Sequence, residues 1–215
     1  MADVPDSLSA ITRATLSHYE AAANDYRAGT LDHDVSQNLA TLYRHIARTP
    51  PWTLLDFGCG PGRDLRAIAA AGHEAVGLDG TEAFVRMARA TGAEVLHQDF
   101  VALDLPAGRF DGVFANASLQ HVPRAALPAV LARLHDALRH DGVLFASIPR
   151  GDDEDGWNGP RYSVFHSPQT WRRHLAHAGF TELEHYFRPP GLPYAQQRWF
   201  ASAWRKQPRE RQAVR

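Results

Sequence analysis

A chain of 215 residues, 44% hydrophobic and 22% charged, holds enough apolar material for one sizeable core, and no Ser/Gly-rich or Pro-rich stretch inside it reads as a linker. Its 23 basic and 24 acidic side chains leave a net charge of −1, which excludes a field over the whole molecule that would draw it to nucleic acid or a membrane surface. The single cysteine, Cys59, excludes an internal disulfide framework and a cysteine-based metal site.

The opening "MADVPDSLSA" lacks the basic start and apolar stretch of a signal peptide, and no window approaches the roughly 18 apolar residues that cross a bilayer, so a cytoplasmic protein is expected. Two helical segments, roughly 8–26 and 35–47, precede the first strand. They cannot join a βα repeat and should cap the sheet or close over a ligand. "TLLDFG" (53–58) follows the helix-stopping pair Pro50-Pro51 and reads as a buried first strand. A helical pattern over 65–71, a strand "HEAVGLDG" ending at Asp79, and a helix "TEAFVRMARATG" with Thr81 as N-cap and Gly92 as stop continue the alternation. Next come "AEVLHQD", "FDGVFANAS", a long helix "RAALPAVLARLHDALRHDG" with Pro128 in its first turns and Gly142 as terminator, and the strand "VLFASIP". Apolar strands separated by helices of this length predict βαβ units and a parallel sheet covered on both faces.

Beyond Pro149, "RGDDEDGWNGPRYSVFH" reads as an acidic, Gly/Pro-punctuated loop, with its "DDED" solvated. A helix from Pro168 follows, then strands "TELEHYFR" and "QRWFASAWR" joined through "PPGLP", the last of them antiparallel. Trp171, Trp199 and Trp204 should be core or lid residues. The expected organisation is a single domain over 1–206, a helical cap (1–50) on an α/β core (51–206), with a flexible basic tail over 207–215.

Gly58, Gly60 and Gly62 form G-x-G-x-G between a strand and a helix, which allows a sharp turn and brings backbone N–H groups against a ligand at the helix N-terminus. Dinucleotide enzymes use the same physics with G-x-G-x-x-G, but here the position of the third glycine is Arg63. Asp79 ends the second strand, where a carboxylate accepts hydrogen bonds from both hydroxyls of a ribose; that suits a nicotinamide or an adenosyl cofactor alike. Asp56 within the glycine motif and Asp99 in "HQDF" favour the second.

With these motifs in order, the chain from about Tyr19 to Trp204 resembles the class I S-adenosylmethionine-dependent methyltransferases. "LLDFGCGPGRD" looks like their first motif, "VGLDG" their ribose-binding acid, "HQDF" their adenine-side motif and "FDGVFANASLQHV" the fourth strand beside the methyl group. The resemblance implies a Rossmann-like α/β fold, a seven-stranded sheet in the order 3-2-1-4-5-7-6 with strand 7 antiparallel, and S-adenosyl-L-methionine as cofactor. It implies that Gly58 and Gly60 lie along the methionine portion, that Asp79 and Gly80 meet the ribose, and that Asp99 and Phe100 frame the adenine. Arg63, with Tyr26 and Thr30 from the cap, would hold the methionine carboxylate, and Asp56 the amino group. Asn116, Ala117 and Ser118 would border the pocket. Cys59 sits in the cofactor turn as a small packing residue rather than a nucleophile, and Asp64 also suits the first helical turn, where negative charge is favoured.

Methyl transfer is an in-line displacement on a sulfonium, so alignment in a dry pocket matters more than acid–base machinery; a base serves only a neutral nucleophile. His121 is the candidate base, with helix packing as its alternative role. His33, Arg150, Trp157, Arg161 and Tyr162 are candidate walls for the acceptor, their polar and aromatic mixture suiting a small polar or anionic molecule with an oxygen, nitrogen or sulfur nucleophile. The chain looks most like small-molecule enzymes of the general kind that includes tellurite-resistance and aconitate methyltransferases. A nucleic-acid acceptor is not expected, because "NASL" lacks an Asn/Asp-Pro-Pro-aromatic run and the charge is balanced. No metal is expected: His174 and His177 lack a third ligand at suitable spacing. A non-catalytic cofactor-binding protein and a nicotinamide oxidoreductase remain the alternatives, and the sequence sets no oligomeric state.

Overall fold

The computed structural model describes residues 8–208. Three helices, α1 (Leu8–Ala21), α2 (Ala23–Thr30) and α3 (Ser36–His45), lead into β1 (Thr53–Phe57), α4 (Arg63–Ala70), β2 (Glu74–Asp79), α5 (Glu82–Arg89), β3 (Glu94–His97), β4 (Phe110–Asn116), α6 (Leu127–Ala137) and β5 (Leu138–Pro149). There follow β6 (Glu154–Asn158), β7 (Arg161–Phe165), α7 (Pro168–His177), β8 (Phe180–Arg188) and β9 (Trp199–Lys206). Seven strands form one sheet in the order β3-β2-β1-β4-β5-β9-β8, with β9 antiparallel to both neighbours, while β6 and β7 pair separately as a hairpin. With the hairpin set aside, this is the order 3-2-1-4-5-7-6 with an antiparallel last strand.

The strands are apolar throughout because both faces are covered. Along β1, Leu55 and Phe57 join the apolar layer that also holds Leu131 of α6 and Trp171 of α7, while Leu54 joins the layer on the other face with Leu42 of α3 and Ile68 of α4. Successive side chains of a strand point to opposite faces, so an uninterrupted apolar run is what a doubly covered strand needs. Trp171 and Trp204 are core residues, as expected; Trp199 is half-buried.

Four departures from the sequence reading have local causes. The helix expected to reach Gly142 ends at Ala137, because Leu138 pairs with Phe110 on β4 and Arg139 reaches the buried Asp111 at 2.6 Å. The single helix expected over 8–26 breaks at Ala22, whose ψ of 12° is not helical. The break turns Tyr19 and Tyr26 edge to face, 5.5 Å apart, against Phe84 of α5. The insert expected to be a loop is the β6–β7 hairpin, and its "DDED" is not simply solvated: Asp153 accepts hydrogen bonds from the Ser167 N–H and hydroxyl and from the Thr170 hydroxyl, capping α7. At the start of the expected tail, Gln207 N–H donates to the Gly179 carbonyl at 2.9 Å; residues 1–7 and 209–215 lie outside the described residues. Among the described residues no helix is long and apolar enough to cross a membrane.

His166, 1% exposed, lies beside Trp171 and 5.1 Å from the His174 ring, and neither of its ring nitrogens meets a partner among the described residues. Burial, then the neighbouring His174 and Arg124, push its pKa down to about 4. Between pH 6.5 and about 4 the unfolded chain therefore takes up a proton that the folded chain refuses, and stability should fall as pH falls through that window. Urea unfolding at a series of pH values should show this slope and show it reduced in His166→Phe; an identical slope in the variant would place the proton elsewhere.

Candidate active site

The glycine turn leaves β1 with Gly58, Gly60 and Gly62 all at positive φ (81°, 51° and 86°). The amides of the three glycines and of Cys59 are engaged within the protein. Gly58 and Cys59 both donate to the Leu78 carbonyl, Gly62 donates to the Cys59 carbonyl, and Gly60 donates to Asp79 Oδ2 at 3.0 Å. Asp79 Oδ1 accepts the Thr81 N–H at 2.8 Å, so one carboxylate clasps the turn after β1 to the turn after β2. What the glycines provide is room. A Cβ at Gly58 would lie 2.5 Å from Ser118 Cβ and 3.2 Å from the Phe100 ring.

These turns line a crevice of about 600 Å³, counting its open mouth, at the carboxyl edge of the sheet. Clefts that hold small ligands are mostly apolar with a few placed polar groups. Here the polar groups are Asp79, Asp99, Ser118 and His121, among Leu16, Tyr19, Tyr26, Phe84 and Phe100. Burial raises the Asp79 pKa, although the Thr81 and Gly60 amides pull the other way. Asp99 Oδ1 takes the Val101 N–H at 3.1 Å, and Phe100 stacks on Phe57 with ring centroids 4.3 Å apart. Ser118 Oγ is buried without a partner among the described residues.

His121 closes the far side. Its Nδ1 lies 2.9 Å from the Tyr162 carbonyl, which can only accept, so the ring proton sits on Nδ1. Burial lowers the His121 pKa, which favours the neutral ring, and Nε2 accepts a hydrogen bond from the Tyr19 hydroxyl at 2.9 Å. Arg161 donates to that hydroxyl at 3.3 Å.

Of the residues singled out from the sequence, Tyr26, Gly58, Gly60, Asp79, Gly80, Asp99, Phe100, Ala117, Ser118 and His121 line the crevice. Thr30, His33, Arg63 and Asn116 line a neighbouring chamber that shares Tyr26 and Ala117 with it. Arg63 grips Asp64 at 2.5 and 2.9 Å and donates to the Thr30 carbonyl at 3.0 Å. Asp56, 2% exposed, lies beneath the turn with Oδ2 unpartnered among the described residues; burial, then Asp64, push its pKa well above the carboxylate range. The Cys59 thiol is buried and its pKa raised, first by burial, which leaves it a packing group.

Three expected wall residues turn away. Arg150 stacks on the Tyr194 ring, 3.7 Å from its centroid, and donates to the Tyr194 carbonyl. Trp157 packs on the Tyr162 ring, and the Tyr162 hydroxyl bonds Asp155; Tyr162 serves His121 only through its backbone. The sequence reading missed Thr12, Thr15, Leu16, Tyr19, Thr81 and Phe84 as lining residues. A signal for Tyr19 was present, two tyrosines seven residues apart on an amphipathic stretch, which places both on one helical face.

Residues 54–142 match a family model described as a methyltransferase domain. The chain is 33% identical over 110 residues to the trans-aconitate 2-methyltransferase of Deinococcus radiodurans, covering 50% of this chain and 42% of that one. It is 29% identical over 157 residues to the enzyme of that name from Yersinia pseudotuberculosis, covering 68% and 58%. The chain thus spans about half the length of these relatives. The structure of Burkholderia thailandensis 1,6-didemethyltoxoflavin-N1-methyltransferase, solved with 1,6-didemethyltoxoflavin and S-adenosylhomocysteine, superposes with a TM-score of 0.79 at 24% identity, over 96% of this chain and 94% of that one. Sheet order and crevice define a Rossmann-like methyltransferase fold. Residues 54–142 are similar to methyltransferase domains, and the chain as a whole has the fold of a methyltransferase solved with S-adenosylhomocysteine.

Gly58→Ala tests the close packing of the turn. An L-residue at φ 81° and a Cβ against Ser118 should together cost about 2 kcal/mol or more in urea unfolding. A variant as stable as the parent would show that the turn has slack.

Proposed function

We propose that this protein transfers a methyl group from S-adenosyl-L-methionine to a small polar or anionic molecule through an oxygen, nitrogen or sulfur nucleophile. The observation that carries the reading is the Asp79 clasp at the rim of a mostly apolar crevice, in a chain with a methyltransferase domain. Asp79 Oδ2 accepts the Gly60 N–H and Oδ1 the Thr81 N–H, with the Thr81 hydroxyl and the Gly80 N–H also acting on the carboxylate, and its remaining acceptor capacity suits a ribose hydroxyl. Asp99 and Phe100, at the end of β3, suit the amino edge and face of an adenine. The unpartnered Asp56 Oδ2 and Ser118 Oγ suit the polar methionine end, and Arg63, with Tyr26 and Thr30, its carboxylate. The cofactor supplies an electrophilic methyl on a cationic sulfur. Loss of that positive charge in the displacement is eased in a pocket poor in water.

The protein's own chemistry then lies in His121 and Tyr19. A neutral hydroxyl or protonated amine must lose a proton as it reacts. In this reading the Tyr19 oxygen receives that proton while its own passes to His121 Nε2, with Arg161 steadying the phenolic oxygen. A carboxylate or thiolate needs no such step. Relatives named for trans-aconitate methylation support an anionic acceptor, and the near-neutral net charge supports a small molecule over nucleic acid. Arg63 at the third-glycine position counts against a nicotinamide oxidoreductase.

Calorimetry should detect S-adenosylhomocysteine binding and no heat with NAD. Asp79→Ala should abolish that binding with an unchanged circular dichroism spectrum; a folded variant that binds as well as the parent would refute the cofactor reading. With a hydroxyl or amine acceptor, the rate should rise with pH along a limb whose midpoint lies below 6.5, because neutral His121 is the working form. His121→Gln should remove that limb and lower kcat by about 10²–10⁴-fold. An unaltered profile would reduce His121 to a packing role.

A further inference from the structure

The chamber beside the crevice measures about 650 Å³, and its wall carries Arg63, Arg188 and Arg198 against one carboxylate, Asp34. Arg63 is matched by Asp64, and the Asp34 carboxylate is engaged by the Ser36 N–H at 2.8 Å. Arg188 meets only neutral acceptors, Asn38 Oδ1 at 2.9 Å and the Asp34 carbonyl at 3.3 Å. The exposed Arg198 guanidinium meets no partner among the described residues.

The arginine also fixes an amide. Arg188 has no acceptor atom, so the Asn38 side-chain atom facing it and the Tyr186 hydroxyl must be the oxygen. The Asn38 nitrogen then donates to Asn116 Oδ1 at 2.9 Å, which leaves the Asn116 NH₂ as the group presented to the chamber. Two guanidinium groups that hydrogen-bond no carboxylate among the described residues, with Asp34 as the nearby acid, and one amide N–H pair thus share a single space next to Ala117 and Tyr26, where the crevice begins.

We propose that the part of this chamber around Arg188 and Arg198, apart from Tyr26, Thr30 and Arg63 that serve the methionine carboxylate, is the acceptor subsite and that it takes a small molecule bearing at least two carboxylates, one held by Arg188 and the Asn116 amide and another by Arg198. Planar carboxylates match the paired donors of guanidinium and amide groups, and charge-assisted bonds of this kind are the strong ones. The assignment of the ligand as methyl acceptor rests on the methyl-transfer reading above.

The test is calorimetry on the full chain with trans-aconitate, its trimethyl ester and inorganic phosphate, each with and without S-adenosylhomocysteine. Trans-aconitate should bind, more weakly as salt rises, and the ester and phosphate should not. Arg188→Gln and Arg198→Gln should each weaken trans-aconitate binding at least about tenfold and leave S-adenosylhomocysteine affinity within about twofold. The Arg198 guanidinium makes no hydrogen bond or ion pair among the described residues, so its variant reads out even where Arg188→Gln disturbs the fold. Loss of S-adenosylhomocysteine affinity instead would assign the chamber to the methionine end and overturn the proposal. No trans-aconitate binding, equal binding by the ester or phosphate, or equal binding by both variants would overturn it too. A parent protein that binds trans-aconitate as described but not S-adenosylhomocysteine would uphold the carboxylate subsite and sink the methyl-transfer reading.

Discussion

Everything at the carboxyl edge of this sheet is referred to one carboxylate. Asp79 ties the Gly60 amide, after β1, to the Thr81 amide, after β2, and it does so from a buried position where an unsatisfied charge would be costly. Two turns that would otherwise move independently share an anchor, and the crevice is the gap they hold open. The same bonds consume the donors that a glycine-rich turn usually offers to a ligand. The turn contributes bare Cα surface and left-handed backbone, and recognition passes to side chains around it.

The strand-4 exit works on different terms. Ala117 is in the left-handed region at φ 59°, uncommon for a residue with a Cβ, and it is held there by bonds at both ends: its N–H to the Ser147 carbonyl, and its carbonyl to the Gln120 side chain at 2.7 Å. The consequence is directional. Asn116 lines the arginine chamber, Ser118 lines the crevice, and Ala117 borders both.

The fold was legible because strand and helix periods alternate cleanly and both faces of the sheet are apolar, so element order and parallel pairing follow from pattern alone. The crevice floor was legible for the same reason: Gly58, Gly60, Asp79 and Asp99 sit where strands end, and strand ends can be counted. Contacts between distant elements were not legible. Nothing near Tyr19 in the chain announces that its hydroxyl meets His121, 102 residues on. The hydrogen bond linking Arg188 to Asn38 spans 150 residues. Arg150, Trp157 and Tyr162 fall in a segment whose composition suited a pocket wall, but hairpin pairing turns alternate side chains outward, and composition carries no register. Leu138 to Asp141 had the look of a helix end; pairing with β4 and the Arg139–Asp111 contact override that propensity.

The two spaces that meet at Ala117 differ in charge, and the difference has a physical use. On the crevice side the lining carboxylates are Asp79 and Asp99, with the His121 pKa lowered by burial and Arg161 reaching in to the Tyr19 hydroxyl. On the chamber side guanidinium groups prevail. A cationic sulfonium and an anionic acceptor would each find the field that suits it on its own side and a less suitable one on the other, so the pair would be drawn into register across one residue rather than stacked in one pocket. Transfer between them would neutralise both charges where the low-dielectric wall makes their separation most costly, which is where electrostatics favours the products. With the two ligands so placed, the backbone conformation of Ala117, and the Ser147 and Gln120 bonds that hold it, would set the alignment of the two halves.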